Sequence, residues 1–224
     1  MRTFRHWTPR YLVNRSRLGV FELLHPRAPW LTPAAIRYLD THLKATDVAL
    51  EFGSGRSTLW FARRVARLTS VEHDRAWYEK VSRRLADEGV TNVEYRLCES
   101  DAYEDPRPWM DEPRERRDVD ADRTEYVRTI VGFAEASLDF ALVDGLYRAA
   151  CALRLIPKLR AGGLLAVDNI NWYLPCLSYA PNSRRVAQGP VSAEWGRFQE
   201  ATQSWRCVWT TSGVTDTAIY LKPL

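Results

Sequence analysis

From residue 29 onward, short apolar runs alternate with stretches whose apolar positions recur at helical spacing. Val48–Phe52, Leu68–Glu72, Val93–Cys98, Leu138–Asp144 and Leu164–Asp168 are apolar segments bounded by polar or glycine-containing turns, the pattern of buried strands. Between them lie helical faces. Ile36, Leu39 and Leu43 recur at i, i+3, i+7 behind Thr32 and Pro33, an N-cap and first-turn pair. Leu59 to Ala66 supply a second face, and Trp77, Val81 and Leu85 a third that stops at Gly89. Tyr126, Ile130 and Phe133 suggest a short helix, and Tyr147–Leu159 a longer one ahead of a reversal at Gly162-Gly163. Trp205–Thr211 and Thr217–Leu221 predict a closing hairpin. The alternation predicts an α/β fold with a mostly parallel sheet.

Three stretches fall outside this rhythm. Residues 1–28 predict a basic appendage of short helical or irregular pieces, ahead of a single domain over 29–224. Within that domain, 101–126 and 171–192 predict insertion or lid segments. The stretch 99–125 holds eleven acids, five arginines and three prolines with few apolar positions, so it cannot bury a face. Residues 171–192 carry Pro175, Pro181 and Pro190 among aromatic residues.

Charge and composition narrow the function classes. The net charge of +4 is concentrated in residues 1–30, where six arginines face Glu22 alone. The remainder is close to neutral, which argues against a broad nucleic-acid face. The basic arm interleaves with Phe4, Trp7 and Tyr11 and keeps an RNA partner as an alternative. No apolar run approaches the roughly 20 residues of a membrane span. No signal peptide is visible, and Cys98, Cys151, Cys176 and Cys207 show no C-x-x-C pairing. The expectation is a cytoplasmic protein with buried free thiols and a small-molecule substrate. A homodimer is one expectation for its assembly.

The candidate chemistry starts at Glu51-Phe52-Gly53-Ser54-Gly55-Arg56-Ser57-Thr58, a strand, glycine loop and helix start. A dinucleotide fingerprint would place Gly or Ala where Thr58 stands, and a P-loop would need a lysine that the loop lacks. Glu51 before the loop suits a cationic amine better than a pyrophosphate. Glu72, about twenty residues beyond Gly53, ends the second strand where an acid accepts from ribose hydroxyls. His73 follows it.

The loop resembles motif I of the class I S-adenosylmethionine (SAM)-dependent methyltransferases. The succession Val143-Asp144-Gly145, helix, Leu164-Leu165-Ala166-Val167-Asp168-Asn169 resembles the O-methyltransferases of the catechol and caffeoyl-coenzyme A group and their bacterial relatives. The resemblance implies a Rossmann-like, doubly wound seven-stranded sheet with an antiparallel C-terminal hairpin. It implies SAM as cofactor, held by Glu51, Gly53, Ser54, Gly55, Ser57, Thr58, Glu72 and His73. Glu99, Ser100 or Asp101 would lie beside the adenine, and Asp144 between cofactor and acceptor. It further implies methyl transfer to a hydroxyl or phenol, with Asp144, Asp168 and Asn169 holding a divalent ion such as Mg²⁺. The group's usual lysine is replaced here by Tyr147, followed by Arg148. Arg148 is expected to steer an anionic acceptor, and Tyr147 either to relay a proton or to pack in the core. A silent binding protein of the same fold is a third class.

Overall fold

The computed structural model describes residues 7–99 and 120–224. Seven strands form one sheet: β1 Val48–Phe52, β2 Arg67–Glu72, β3 Val93–Leu97, β4 Leu138–Val143, β5 Leu159–Asp168, β6 Arg206–Thr211 and β7 Asp216–Leu221. Their spatial order is β3-β2-β1-β4-β5-β7-β6. The first five strands pair in parallel, and β7 runs antiparallel to both β5 and β6. The expected doubly wound sheet and its terminal hairpin are both present.

Helices cover both faces. They are α1 Pro9–Leu24, α2 Pro33–His42, α3 Arg56–Ala62, α4 Arg75–Asp87, α5 Glu125–Arg128, α6 Arg148–Leu155 and α7 Ala193–Ala201. Strand side chains alternate between two cores, as a pleated strand requires. On β1, Leu50 and Phe52 join Cys151, Leu155 and Phe198 on one face. Ala49 joins Ile36, Leu39, Phe61 and Phe140 on the other. The inner strands are therefore buried on both sides, which explains their nearly continuous apolar runs.

Several local expectations need correction. Among its described residues the N-terminal segment forms a 16-residue helix, α1, capped by Thr8 with Pro9 in its first turn. Gly162-Gly163 lies inside β5, at a register irregularity opposite Leu138 and Phe140, and does not end the preceding helix. Between the ends of β5 and α7, residues 171–192 are largely irregular, as expected, with short 3₁₀ turns at Ile170–Trp172 and Val186–Gln188. Of the four free thiols only Cys98 and Cys151 are buried, and Cys207 is exposed. Among the described residues no helix is long and apolar enough to cross a membrane.

The strand order reverses beside β1, which sits between β2 and β4. Such a switch point opens a crevice at the carboxyl edge of the sheet, where open α/β folds receive ligands.

Candidate functional site

The register of the sheet brings the glycine loop against the end of β4. Phe52 aligns with Val71 on one side and Val143 on the other. Gly53 N–H donates to the Val71 carbonyl at 3.0 Å, and Asp144 N–H donates to the Phe52 carbonyl at 2.9 Å. Gly53 has φ +90°, a conformation that favours glycine. A Cβ there would stand 2.8 Å from the Asp144 carbonyl carbon and oxygen, so the two segments touch backbone to backbone. Gly145 completes the contact from the other side, where a Cβ would collide with the Tyr126 hydroxyl. Gly55 differs. A Cβ on this buried glycine would make only ordinary contact with the Trp77 ring, at 3.7 Å, so the position leaves room for one more carbon.

Behind the loop, Glu51 is fully buried. Its Oε2 accepts from the hydroxyls of Thr58 (2.6 Å) and Ser70 (2.7 Å), while Oε1 has no hydrogen-bond partner among the described residues. Burial pushes the Glu51 carboxyl up to about 7, against the lowering effect of the Ser57, Thr58 and Ser70 hydroxyls. Thr58 Oγ1 also accepts from Gly55 N–H at 3.0 Å, which ties the loop to α3.

Glu72 behaves in the opposite way. Its Oε1 accepts from the backbone N–H of His73 (2.8 Å) and Asp74 (3.0 Å). Its Oε2 accepts from the Ser54 N–H (3.1 Å) and hydroxyl (2.6 Å). Burial alone would raise this carboxyl, but the donors from His73, Asp74 and Ser54 override it and hold it at about 2. The Nδ1 of His73 lies 3.0 Å from Glu72 Oε1. The Ser54 hydroxyl also meets the Tyr95 hydroxyl at 2.6 Å, and Trp77 Nε1 donates to the Ser54 carbonyl at 2.8 Å. Glu99 is exposed and bound at both oxygens by Arg75, at 2.9 and 2.6 Å. This places it in a surface ion pair. Ser100 and Asp101 lie outside the described residues.

At the ends of β4 and β5, one side chain dominates. Arg148, the first residue of α6, reaches back with three nitrogens. Its Nε donates to the Gly145 carbonyl (3.0 Å), and its Nη1 to the Asp168 carbonyl (2.6 Å) and Asn169 Oδ1 (2.9 Å). Its Nη2 donates to the Asp144 carbonyl (3.0 Å) and pairs with Asp144 Oδ1 (3.0 Å). The Asp168 carboxyl turns away and accepts from the Thr217 hydroxyl at 2.6 Å. Burial, then the charge of Asp144, pushes Asp168 up to about 8. Asn169 Nδ2 donates to the Thr215 hydroxyl at 2.6 Å.

This geometry bears on the expected metal set and on the roles expected of Arg148 and Tyr147. The Asp144, Asp168 and Asn169 oxygens do not fit a divalent ion as they stand, because a guanidinium already engages two of the three residues' side chains and Thr217 engages the third. Among the described residues no cluster of three or more His, Cys, Asp or Glu side chains could hold a metal. Arg148 is also unsuited to steering an acceptor, since its donors point into the protein. Tyr147 is 2% exposed and packs in the core, which disfavours a proton relay to a ligand. Asp144 keeps 27% of its side chain accessible, whereas Asp168 is 3% exposed, so Asp144 is the acid that faces the crevice.

A cavity of about 140 Å³ opens under α1. Arg15, Phe21, His25, Trp30, Arg56 and Thr215 are among its lining residues. Arg56 follows Gly55 in sequence, and Thr215 is bonded to Asn169, so the cavity adjoins both the loop and the end of β5. Trp30 is 53% exposed, stacks on Trp77 with ring centroids 6.1 Å apart, and carries the Arg56 guanidinium over its face at 5.1 Å. The C-terminal aromatics mostly pack instead. Tyr173 stacks on Trp195 at 4.7 Å, and Trp195 meets Phe198 edge-on.

No protein-family model matches the chain, and no curated protein matches its sequence. Solved structures do match its fold. A Corynebacterium glutamicum protein superposes with a TM-score of 0.57 over 99% of this chain and 94% of its own, at 14% identity. A methyltransferase-like protein from Silicibacter pomeroyi gives 0.53, covering 88% of this chain and 89% of its own at 23% identity. An rRNA methylase from Streptococcus thermophilus gives 0.52 over 84% and 93%, at 12% identity. The fold is Rossmann-like, and it is shared with structures described as methyltransferases. At such identities the likeness reaches the fold, and chemistry rests on the site.

Sequence reasoning missed Ser70, Trp77 and Tyr95, which brace the loop and its acids, and Thr217, which holds Asp168 at the end of β5. Ser70 left a signal, a hydroxyl in the middle of a buried apolar strand, where a polar group needs a partner.

Proposed function

We propose that this protein is a SAM-dependent methyltransferase acting on a small-molecule acceptor at oxygen. The observation that carries the reading is the Gly53–Gly55 loop at the switch point between β1 and β4, with the buried Glu51 carboxyl behind it and the ionised Glu72 at its side. Two carboxylates beside a glycine loop suit a ligand with an amine, a sulfonium and ribose hydroxyls, and repel a pyrophosphate.

The residues fit such a cofactor. Ser54 to Gly55 would back its methionine portion, and Glu72 would receive the ribose hydroxyls in place of the Ser54 hydroxyl it now holds. The cofactor supplies an electrophilic methyl group. The protein's part is alignment of the acceptor and removal of its proton. Asp144, accessible at the end of β4, is the group placed to accept that proton or orient the acceptor hydroxyl. The acceptor would enter the cavity under α1. Its lining pairs Arg15 with Glu22 at 3.9 Å, which leaves the exposed Trp30 indole with the Arg56 guanidinium over its face as the part suited to a planar acceptor bearing negative charge.

The test is calorimetric titration of the purified protein with S-adenosylhomocysteine, with NAD as control. Micromolar binding of the first alone is the expected result. Silence from both would reduce the glycine loop to a turn and end this reading. An RNA acceptor is the second reading, motivated by the arginine-rich N-terminal segment. A mobility shift with RNA that weakens steeply with salt would favour it.

A further inference from the structure

A guanidinium has five N–H donors and no acceptor. In Arg148 the five acceptors it meets are the carbonyls of Asp144, Gly145 and Asp168 and the side-chain oxygens of Asp144 and Asn169, none beyond 3.0 Å. Its side chain is 12% exposed, and its plane lies near the Tyr173 ring, at 5.9 Å. Arginine cannot lose its proton at working pH, so this is a permanent charge held in a saturated fork.

The backbone is bent to make the fork close. Tyr147, immediately before Arg148, has φ +47°, and Asn169, one of its acceptors, has φ +54°. A left-handed conformation is costly for a bulky residue such as tyrosine, and persists where the surroundings over-determine it. Here it turns the chain so that the first residue of α6 points back at β4 and β5.

Asp144 and Asn169 are two of the residues to which the resemblance to catechol-type enzymes assigns a divalent ion. We propose that Arg148 is a built-in cation standing in that ion's place. It joins the ends of β4 and β5, holds one oxygen of Asp144 and leaves the rest of that carboxylate facing the crevice, and the site needs no divalent metal. Arg148 is thus a positioning residue that acts through Asp144.

The experiment compares wild type, Arg148→Ala and Arg148→Lys by thermal unfolding in chelator, in Mg²⁺ and in Ca²⁺, followed by S-adenosylhomocysteine titration under the same conditions. Wild type should give one Tm and one affinity in all three buffers. Arg148→Ala should melt lower and acquire a Tm that rises with millimolar Mg²⁺ or Ca²⁺, because the uncovered oxygens now accept an external cation. A merely structural arginine would show the first effect without the second. Arg148→Lys keeps the charge but offers one point of attachment, and should bind S-adenosylhomocysteine at least about tenfold more weakly than wild type. A wild-type Tm or affinity that rises with either metal overturns the proposal. So does a folded Arg148→Ala that ignores both metals, or an Arg148→Lys equal to wild type. If Arg148→Ala does not fold, the wild-type and Arg148→Lys arms still decide. The affinity arm rests on the proposed cofactor, whereas the melting arm does not. Wild type that fails to bind S-adenosylhomocysteine would end the functional reading and leave the metal question to the melts.

Discussion

The two halves of the crevice treat buried carboxylates in different ways. On the β1–β2 side, Glu51 and Glu72 are stabilised mainly by hydroxyls and backbone N–H groups, supplied by Thr58, Ser70, Ser54, His73 and Asp74. On the β4–β5 side, Asp144 is held by a full positive charge. Neutral donors leave negative charge on the first side for a ligand to meet. The second side brings its own cation and is electrostatically closed. Under the proposed function, this difference would let one edge of the sheet receive a cofactor bearing positive charge on its first side, with the acceptor on the other.

The largest break in this contrast comes from the closed side. Arg148→Ala removes the partner of a mostly buried carboxylate, a change that costs about 3–5 kcal/mol in comparable buried pairs. Chemical denaturation at neutral pH should show a loss of that order, with the m-value unchanged if the rest of the fold persists. A loss below about 1 kcal/mol would place Arg148 among ordinary surface ion pairs and erase the distinction between the halves.

Next is the seam where the halves meet. Gly53→Ala would set a Cβ 2.8 Å from the Asp144 carbonyl at a φ of +90°. Neither backbone can give way cheaply, so a loss of about 3 kcal/mol is expected, by strain and displacement together. Gly55→Ala is the control. Its Cβ would meet only Trp77 at 3.7 Å, so it should cost far less stability while adding bulk to the loop and weakening S-adenosylhomocysteine binding. Equal effects of the two substitutions on stability would contradict the close approach at Gly53.

The open side is tested by Glu72→Gln. Glu72 Oε1 meets the backbone N–H of His73 and Asp74 as well as His73 Nδ1 at 3.0 Å, and Oε2 meets the Ser54 N–H and hydroxyl, so an amide nitrogen in place of either oxygen would face at least two of these groups. A loss of about 2 kcal/mol is expected, one donor pair being left unsatisfied in a buried place. The pH dependence has a definite sign. Glu72 is held at about 2, below its ordinary value of 4.5, so its contribution is present above pH 4.5 and is lost as pH falls towards 2. Acid titration of wild type should therefore show a descent in that window that Glu72→Gln lacks.

What the sequence revealed of these halves follows from where the information is local. Strand positions, the loop and the acids at strand ends are written in contiguous patterns: a buried apolar run, a glycine break, a polar residue at the carboxyl end. Glu51, Gly53, Glu72 and Asp144 were found that way. The partners of those acids were not, because Ser54 with Tyr95, Glu51 with Ser70 and Asp168 with Thr217 meet across strand pairings that no short window contains. Arg148 was seen and its place misjudged. A residue one step into a helix is expected to point outward, and only the left-handed turn at Tyr147 sends it back to the sheet. The helix α7 was missed although Ser192, Trp195 and Phe198 carry its cap and its buried face. The aromatic residues there stack on each other.

The smallest expected effect is the sharpest on the open side, because it sets its two carboxylates against each other. Glu51 is raised by burial to about 7 from an ordinary 4.5, so between those values the folded state binds a proton that the unfolded state has released. Its contribution to stability is then fully present below pH 4.5 and is lost as pH rises through about 7, opposite in sense to Glu72. Moving from about pH 6 to about pH 8 should cost wild type about 1 kcal/mol through this group. Glu51→Gln, a neutral side chain of the same shape, should flatten that slope and be relatively more stable at the alkaline end. Urea unfolding of both proteins at the two pH values measures it. A cationic ligand amine near the Glu51 carboxyl would favour its ionised form and bring its pKa down, so S-adenosylhomocysteine should reduce the alkaline loss in wild type and leave Glu51→Gln without a pH-dependent response. If the ligand stabilises both proteins equally at both pH values, Glu51 serves the loop's own hydrogen bonds and takes no part in meeting the ligand's charge.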